Sequence, residues 1–289
     1  MIYKSYCDMA DTIRRNLWKV PNDVSLIVGI PRSGMIAALL VSELLNKPCA
    51  TLDEFIQGQE MSCGKSRRKL MREFPVIGKK KVLVLDDTVN IGYAMENAKS
   101  ELSFLSCKYE IVFACVYARG RNAKAYVDIF FEDIYDPGKS WYLYEWNILH
   151  HHASKTKASM WDIDGLLCKD PPSEVDVTAY ESYISNAIPM IVPTTTIGAL
   201  VTYRLEKYRK VTEKWLQSHG IDYNHLYMFD APDRDTRNAT KKASRYKAEL
   251  YGNAPWARLF FESSRKQAEK IFKRTGKPVF CYENGQMFI

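Results

Sequence analysis

VLVLDDTVNIGYAM, residues 82–95, is the stretch of this chain whose pattern determines the predicted fold. The four apolar residues at its start predict a short strand buried on both faces of a parallel sheet. Asp86 and Asp87 follow the strand, residues 88–92 form a small-residue turn, and residues 93–105 predict a helix. A buried strand that leads through a short turn into a helix is typical of α/β proteins.

The turn and the acidic pair favour a sugar-phosphate site. In an open α/β sheet, ligands bind beyond the carboxyl ends of the strands. Backbone N–H groups of a turn and a first helical turn can bind a phosphate. Asp86 and Asp87 can accept hydrogen bonds from two neighbouring hydroxyls, as on a ribose. A solvated acidic pair and a Walker B strand are alternatives, but the sequence contains no G-x-x-x-x-G-K-[ST] segment to accompany a Walker B strand.

A second loop of this kind occurs earlier in the chain. Residues 24–28 predict a strand, residues 29–34 (GIPRSG) a tight loop, and residues 35–45 a strongly apolar helix. A glycine-bracketed loop between a strand and a helix is again an anion site by its geometry. Such turns are common in α/β proteins, so the indication depends on the two loops occurring together.

Taken together, the two loops resemble those of the type I phosphoribosyltransferases. The resemblance implies that Asp86 and Asp87 bind the ribose hydroxyls of phosphoribosyl pyrophosphate. It also implies a loop for the 5-phosphate and a loop for the pyrophosphate, the latter with a cis peptide whose position here is Pro31–Arg32. The 5-phosphate loop would be Thr88, Val89, Asn90, Ile91 and Gly92, and the pyrophosphate loop Pro31, Arg32, Ser33 and Gly34.

The same family closes a further loop over its active site and brings cationic side chains to the pyrophosphate. In this chain the corresponding segment lies between residues 53 and 78 and has no clear periodicity. The resemblance makes Lys65, Arg67 and Arg68 candidates for that role. A solvated basic loop is an equally good interpretation for any one of them.

Composition limits the class of protein. At 289 residues the chain has room for two domains, and its formal net charge of +7 suits anionic substrates or weak attraction to an anionic membrane rather than nucleic acid. Seven cysteines without a C-x-x-C pair indicate reduced thiols in a cytosol. No apolar run reaches transmembrane length and the N-terminus does not resemble a secretion signal. We therefore expect a cytoplasmic protein with at most peripheral contact with the inner membrane.

The middle of the chain predicts a boundary between two different domains, 1–150 and 151–289. Residues 141–147 (WYLYEWN) form an aromatic cluster, which suits either a sugar-stacking platform or a domain interface. His150, His151 and His152 are consecutive and cannot share one helix face, so a linker is favoured over a metal site. We expect each domain to be an α/β structure with a mainly parallel sheet flanked by helices.

The second half contains a D-x-D-G segment after a short apolar strand. Asp162 and Asp164 stand at i and i+2 and therefore point the same way, so both can reach one Mg²⁺ or one phosphorus atom. A strand at residues 199–204 contains Thr202. Lys247 and Glu262 follow in order along the chain, with Lys241 and Lys242 as rivals of Lys247.

This ordered set resembles the four motifs of the haloacid dehalogenase superfamily. The resemblance implies a Rossmann-like fold, here with little or no cap because only about forty residues separate the first two motifs. It implies that Asp162 attacks a phosphate, that Asp164 protonates the leaving oxygen, and that Thr202 and Lys247 hold phosphoryl oxygens. Mg²⁺ would be the cofactor, with Asp162, Asp164 and Glu262 as ligands. The fourth motif departs from the usual acidic pair, since only Glu262 is acidic.

Fused in one chain, the two activities would act in sequence. The first half would transfer 5-phosphoribosyl from phosphoribosyl pyrophosphate to a glycan hydroxyl, with a lipid-linked glycan as the expected acceptor. The second half would remove the 5-phosphate. This resembles the pairs that install ribofuranose in bacterial surface polysaccharides such as O-antigen. The general base would be Asp86, Asp87 or Glu145. Two alternatives stay open: nucleobase salvage with an accessory phosphatase, and a nucleotide-sensing regulatory protein.

Overall fold

The computed structural model describes residues 1–59, 78–150, 153–172, 177–240 and 242–289. Tertiary contacts divide the chain into two compact units, Ile2–Tyr142 and Leu143–Ile289. Each unit is an α/β structure with a mainly parallel sheet and flanking helices, which confirms the predicted fold class. No helix in these ranges is both long and apolar enough to cross a bilayer.

The first unit is built on a five-stranded parallel sheet of order β3-β2-β4-β5-β6. The five strands of this sheet are β2 (Val24–Gly29), β3 (Cys49–Thr51), β4 (Lys80–Val89), β5 (Tyr109–Ala118) and β6 (Ile129–Asp133), and β1 (Ile2–Lys4) lies outside it. Its helices are α1 (Tyr6–Asn16), α2 (Gly34–Leu45), α3 (Leu52–Ile56) and α4 (Tyr93–Leu102), with 3₁₀ turns at Leu17–Lys19, Ser103–Cys107 and Ala123–Tyr126. Strand β7 (Tyr142–Tyr144) spans the position at which the two units divide.

The order of the strands places a topological switch point between β2 and β4. The chain passes from β2 outward to β3 and then returns to β4 on the other side of β2, where Gly29 pairs with Leu85. At such a point the two connections leave in opposite directions, and the crevice between them is the usual ligand site of an open α/β sheet. The loop after Gly29 and the segment after Leu85 therefore meet there.

Strand β4 is longer than the sequence pattern predicts. The apolar run suggests a strand over residues 82–85, whereas the observed strand runs through Asp86 and Asp87 to Val89. The reason is β5, because Asp86 pairs with Cys115 and the pairing continues as far as Val89 with Ala118. The acidic pair consequently lies within a strand rather than in a loop, which fixes its backbone more firmly than expected.

The core of the first unit explains why these segments adopt their structures. Val82 and Val84 are fully buried and pack in one cluster with Met95, Ala98 and Leu102 of α4. These three helical residues recur at intervals of three and four, as an apolar face requires. Helix α4 is thereby fixed against the sheet, with its N-terminus beside the 88–92 loop.

The second unit has a six-stranded sheet of order β10-β9-β8-β11-β12-β13, in which only β13 is antiparallel to its neighbour. Its strands are β8 (Ser159–Trp161), β9 (Ile197–Leu205), β10 (Tyr223–Phe229), β11 (Leu259–Glu262), β12 (Val279–Cys281) and β13 (Gln286–Phe288). Its helices are α5 (Ala153–Lys157), α6 (Val177–Asn186), α7 (Arg209–Ser218), α8 (Arg234–Thr240), α9 (Ala243–Gly252) and α10 (Arg265–Thr275), with 3₁₀ turns at Ile148–His150 and Glu206–Tyr208.

Strand β8 lies between β9 and β11, so this sheet also has its switch point at the strand that precedes the D-x-D-G segment. The segment between Gly165 and β9 differs from expectation. Its sequence shows little periodicity, yet the structure places the ten-residue helix α6 there, in contact with α7. Tyr180 and Ile184 supply the buried face, four residues apart, and are packed with Leu205.

Candidate active sites

The first candidate site joins the acidic pair to the GIPRSG loop. Asp86 and Asp87 are 8% and 5% exposed. The Asp87 carboxylate accepts a hydrogen bond from Ser33 Oγ at 2.7 Å and one from Thr88 Oγ1 at 3.1 Å, and the Asp87 N–H donates to Asp86 Oδ1 at 2.8 Å. The Asp87 carboxylate on β4 therefore contacts one side chain from each predicted loop, Ser33 and Thr88.

Burial and the neighbouring like charge make full ionisation of the acidic pair unfavourable when no ligand is bound. Burial raises the pKa of Asp86 well above its ordinary value, and the neighbouring carboxylate of Asp87 raises it further. Two carboxylates in one desolvated place disfavour full ionisation. A ligand that supplies hydroxyl donors or a cation would relieve that cost, so the pair is better suited to binding than to stabilising the free protein.

The GIPRSG loop has the geometry that its resemblance implies. The Pro31–Arg32 peptide bond is cis, which confirms the predicted position. Pro31 and Arg32 are exposed, while Gly34 is buried at the start of α2. A Cβ atom at Gly34 would lie 2.9 Å from the Leu85 carbonyl oxygen and 3.0 Å from Asp86 Oδ1. Only glycine therefore allows the loop to approach the acidic pair this closely.

The predicted 5-phosphate loop leads directly into α4. Gly92 has φ of +79° and lies under the ring of Tyr126, so a side chain there would meet both backbone strain and the aromatic ring. Asn90 and Ile91 are exposed, Thr88 is half-buried and Val89 is buried. The sequence analysis missed Tyr126. Its position just before an apolar segment gives no local signal that its ring covers a glycine some thirty residues earlier.

The remaining candidates for the first site are only partly placed by the structure. Lys65, Arg67 and Arg68 lie outside the described residues. Glu145 lies in the second unit, against Gly285. Of the aromatic cluster, Trp141, Tyr142 and Tyr144 are buried, so their rings do not form an exposed stacking platform.

The second candidate site is a buried cluster of opposite charges. Lys247 Nζ donates to Asp162 Oδ2 at 2.7 Å and to Glu262 Oε2 at 2.8 Å. Asp162 follows β8, Glu262 ends β11 and Lys247 lies on α9, so three elements converge here. Ser263 Oγ also donates to Asp162 Oδ2, at 3.2 Å. Sequence analysis missed Ser263, whose position directly after an acidic residue was its only signal.

The charges in this cluster influence each other strongly. Burial raises the pKa of Asp162 well above its ordinary value, and Lys247 opposes that effect. Burial alone would lower the pKa of Lys247, but the carboxylates of Asp162 and Glu262 raise it. Lys247 therefore stays protonated and holds both carboxylates in place. Thr202 is fully buried on β9, two residues beyond Leu200, which pairs with Trp161 in β8.

The second aspartate of the D-x-D-G segment has a partner that the sequence analysis did not identify. Asp164 binds Arg204 through two contacts, Nη2 to Oδ1 at 2.6 Å and Nε to Oδ2 at 3.0 Å. The Arg204 side chain is fully buried and also contacts Cys168 Sγ and Thr212 Oγ1. Arg204 stands two residues after Thr202, so the two side chains lie on one face of β9. Because Thr202 and Asp164 are predicted members of one site, this spacing could have indicated that Arg204 pairs with Asp164.

Each of the three predicted Mg²⁺ ligands has a cationic partner. Asp164 faces Arg204, whereas Asp162 and Glu262 share Lys247. Within the described ranges, no group of three or more His, Cys, Asp or Glu side chains is placed to hold a metal ion. Asp162, Asp164 and Glu262 are thus all paired with cationic side chains in this structure, and their role as Mg²⁺ ligands stays a prediction.

We expect Arg204→Met to reduce the free energy of unfolding by about 3–5 kcal/mol, because it leaves the Asp164 carboxylate largely desolvated without a partner. Urea unfolding followed by tryptophan fluorescence would measure the loss. Arg209→Met is the matched control, since Arg209 also forms ion pairs, with Glu206 and Glu213, but near the surface. That change should cost no more than about 1 kcal/mol. Equal losses in the two variants would contradict a special role for the buried pair.

No protein-family model and no curated protein matches the sequence. Among solved structures, the chain is similar to a xanthine-guanine-hypoxanthine phosphoribosyltransferase from Helicobacter pylori, with 16% identity, a TM-score of 0.36, and coverage of 51% of this chain and 93% of that one. A purine phosphoribosyltransferase from Pyrococcus horikoshii gives 20% identity, a TM-score of 0.35, and coverage of 50% and 92%. An orotate phosphoribosyltransferase from Aeropyrum pernix gives 17% identity, a TM-score of 0.31, and coverage of 45% and 71%. Likenesses this distant assign no activity to the chain.

Proposed function

We propose that this chain is a bifunctional enzyme that adds ribofuranose to a glycan in two steps. The first unit transfers 5-phosphoribosyl from phosphoribosyl pyrophosphate to a glycan hydroxyl, and the second unit removes the 5-phosphate. The observation that carries the proposal is the hydrogen bond from Ser33 to Asp87, because it joins the pyrophosphate loop to the ribose-binding pair at the switch point of the sheet.

The first step exchanges one bond at C1 of the ribose for another. The bond from C1 to the pyrophosphate oxygen breaks, a bond to the acceptor oxygen forms, and the acceptor loses a proton. Asp86 and Asp87 hold the ribose hydroxyls, and either can take that proton; backbone N–H groups at the start of α4 bind the 5-phosphate. Mg²⁺ fits this pair, since it takes one or two carboxylates together with phosphate oxygens, and it would neutralise the departing pyrophosphate.

The second step needs a nucleophile and a cation beside it. An Asp162 carboxylate oxygen attacks phosphorus, the bond to the sugar oxygen breaks, and water then hydrolyses the aspartyl phosphate. Lys247 offsets the negative charge that would keep carboxylate and phosphate apart. Ser263 orients the same carboxylate. Proton donation by Asp164 to the leaving oxygen requires its pair with Arg204 to open.

The presence of both sites in one chain supports a sequential order. A phosphatase that follows a phosphoribosyl transfer leaves a plain ribofuranosyl group on the acceptor. A glycan hydroxyl, carried on a lipid at the cytoplasmic face of the membrane, is the acceptor we propose. The net charge of +7 suits a brief contact with that surface.

The test is ³¹P NMR of the purified protein with phosphoribosyl pyrophosphate, Mg²⁺ and separate panels of synthetic glycans and nucleobases. We expect pyrophosphate to appear with a glycan acceptor, followed by inorganic phosphate. Pyrophosphate release with nucleobases alone would replace the glycan proposal with salvage. Tight binding of phosphoribosyl pyrophosphate without release, with either panel, would favour a sensing role.

A further inference from the structure

A cavity of about 510 Å³ lies in the second unit and has no part in the chemistry described so far. Its walls come from the end of β9, from α8, and from the first turns of α9 and α10. The lining side chains include Tyr203, Arg237, Ser264, Lys266, Gln267 and Lys270.

Two of the segments that line the cavity also carry residues of the Asp162 cluster. Ser264 follows Ser263, whose hydroxyl donates to Asp162. On α9, Ser244 lines the cavity one helical turn before Lys247. Residues three apart on a helix lie on one face, separated by roughly 5 Å along the axis. A ligand in the cavity would therefore extend toward the carboxylate that Lys247 holds.

The charge of the cavity favours an anion. Arg237, Lys266 and Lys270 contribute three cations, and the described lining residues include no carboxylate. Lys266 and Lys270 are exposed and form no ion pair with any residue in the described ranges. A concave surface lined by charges of one sign attracts ligands of the opposite sign.

A second observation indicates that the ligand also carries hydroxyls. The side-chain oxygen Oε1 of Gln267 is buried, and the described part of the chain gives it no hydrogen-bond partner. A buried polar atom without a partner is unfavourable. Gln267 lines the cavity, so a rotation of its side chain would bring this oxygen to a ligand hydroxyl that satisfies it. Tyr203 adds an aromatic wall of the kind that packs against a sugar ring.

We infer that this cavity binds a hydroxylated anion, a saccharide that carries a phosphate or a carboxylate, and presents its phosphomonoester to Asp162. The inference rests on the proposed phosphatase activity and adds the substrate class. It predicts that the second unit prefers phosphomonoesters whose saccharide portion carries a second negative charge elsewhere.

The test compares fructose 1,6-bisphosphate with p-nitrophenyl phosphate, whose leaving group carries no second phosphate. In Lys266→Ala/Lys270→Ala, the kcat/KM for the bisphosphate should fall at least about tenfold relative to that for p-nitrophenyl phosphate, since two favourable charge interactions are lost. The control is Lys273→Ala/Arg274→Ala, which removes two charges from the exposed end of the same helix. That variant should keep the wild-type ratio. Equal effects in both variants would overturn the inference, because net charge alone would then explain them.

Calorimetry on the Asp162→Asn protein separates this inference from the proposed activity. Fructose 1,6-bisphosphate should bind at least about tenfold more weakly when Lys266 and Lys270 are also replaced by alanine. If no phosphomonoester is hydrolysed, the phosphatase proposal fails while this titration still decides the cavity. Titration with 6-phosphogluconate, which has a carboxylate in place of one phosphate, tells which anion is preferred. If replacing Lys266 and Lys270 by alanine changes the affinity for neither ligand, the inference is overturned.

Discussion

An Asp162→Asn protein is expected to release pyrophosphate from phosphoribosyl pyrophosphate at the wild-type rate and to accumulate a glycan-linked phosphomonoester. An amide is not a nucleophile toward phosphorus, so phosphate release should fall at least about 10³-fold. Asparagine has the shape of aspartate, and Lys247 keeps Glu262 as its partner. The fold of the second unit should therefore survive. The ³¹P NMR signal of the phosphomonoester would measure the effect.

The control for this variant is Asp222→Asn, which removes one negative charge at an exposed position of the same unit. It should convert the phosphomonoester as the wild type does. If the Asp162→Asn protein still releases phosphate within tenfold of the wild-type rate, Asp162 is not the nucleophile. The charged cluster would then have a purely structural role.

Replacing both members of the acidic pair, Asp86→Asn/Asp87→Asn, should reduce pyrophosphate release by about 10²–10⁴-fold. Two charge-assisted hydrogen bonds to ribose hydroxyls are lost, each worth about 1.5–3 kcal/mol. The contact of Asp87 with Ser33 also loses its charge, so the pyrophosphate loop is held less firmly. Release of pyrophosphate from phosphoribosyl pyrophosphate, followed by ³¹P NMR, measures the loss.

The free energy of unfolding of this double variant at neutral pH should stay the same or rise although the activity falls. This difference distinguishes a binding role of the pair from a structural one. The raised pKa of Asp86 means that the folded protein binds this proton more tightly than the unfolded chain does. The free energy of unfolding of the wild type therefore falls as the pH rises above the ordinary carboxyl range toward the raised pKa. The double variant should lack this decrease and be at least as stable at neutral pH. Lower stability together with lower activity would instead indicate misfolding, and Asp53→Asn, an exposed change in the same unit, is the control.

Local sequence predicted the class of the fold, and several of the residues that it singled out as candidates lie together in the structure. The apolar run before Asp86, the glycines of the GIPRSG loop and the spacing of Asp162 and Asp164 act over a few residues, so each pattern can be interpreted by itself. The position of the cis bond at Pro31–Arg32 followed from the loop that it belongs to. These features depend on short-range geometry, which the sequence contains directly.

What the sequence did not predict depends on partners far along the chain. Strand β4 extends to Val89 because β5 is there to pair with it. Asp164 is held by Arg204, forty residues away, and Gly92 is covered by Tyr126. Such contacts arise from tertiary packing, which overrides local propensity and gives little signal in a single sequence.

The shared lysine of the second site imposes an order on how this unit can change in evolution. Lys247 sits between two buried carboxylates, Asp162 and Glu262, so loss of either carboxylate leaves a neutral buried pair. Loss of Lys247 first would leave two buried negative charges without compensation, and such an intermediate is strongly destabilised. A lineage in which this charged cluster is lost would therefore lose an acidic residue before it loses the lysine. The two replacements are epistatic, and only one order of them avoids an unstable ancestor.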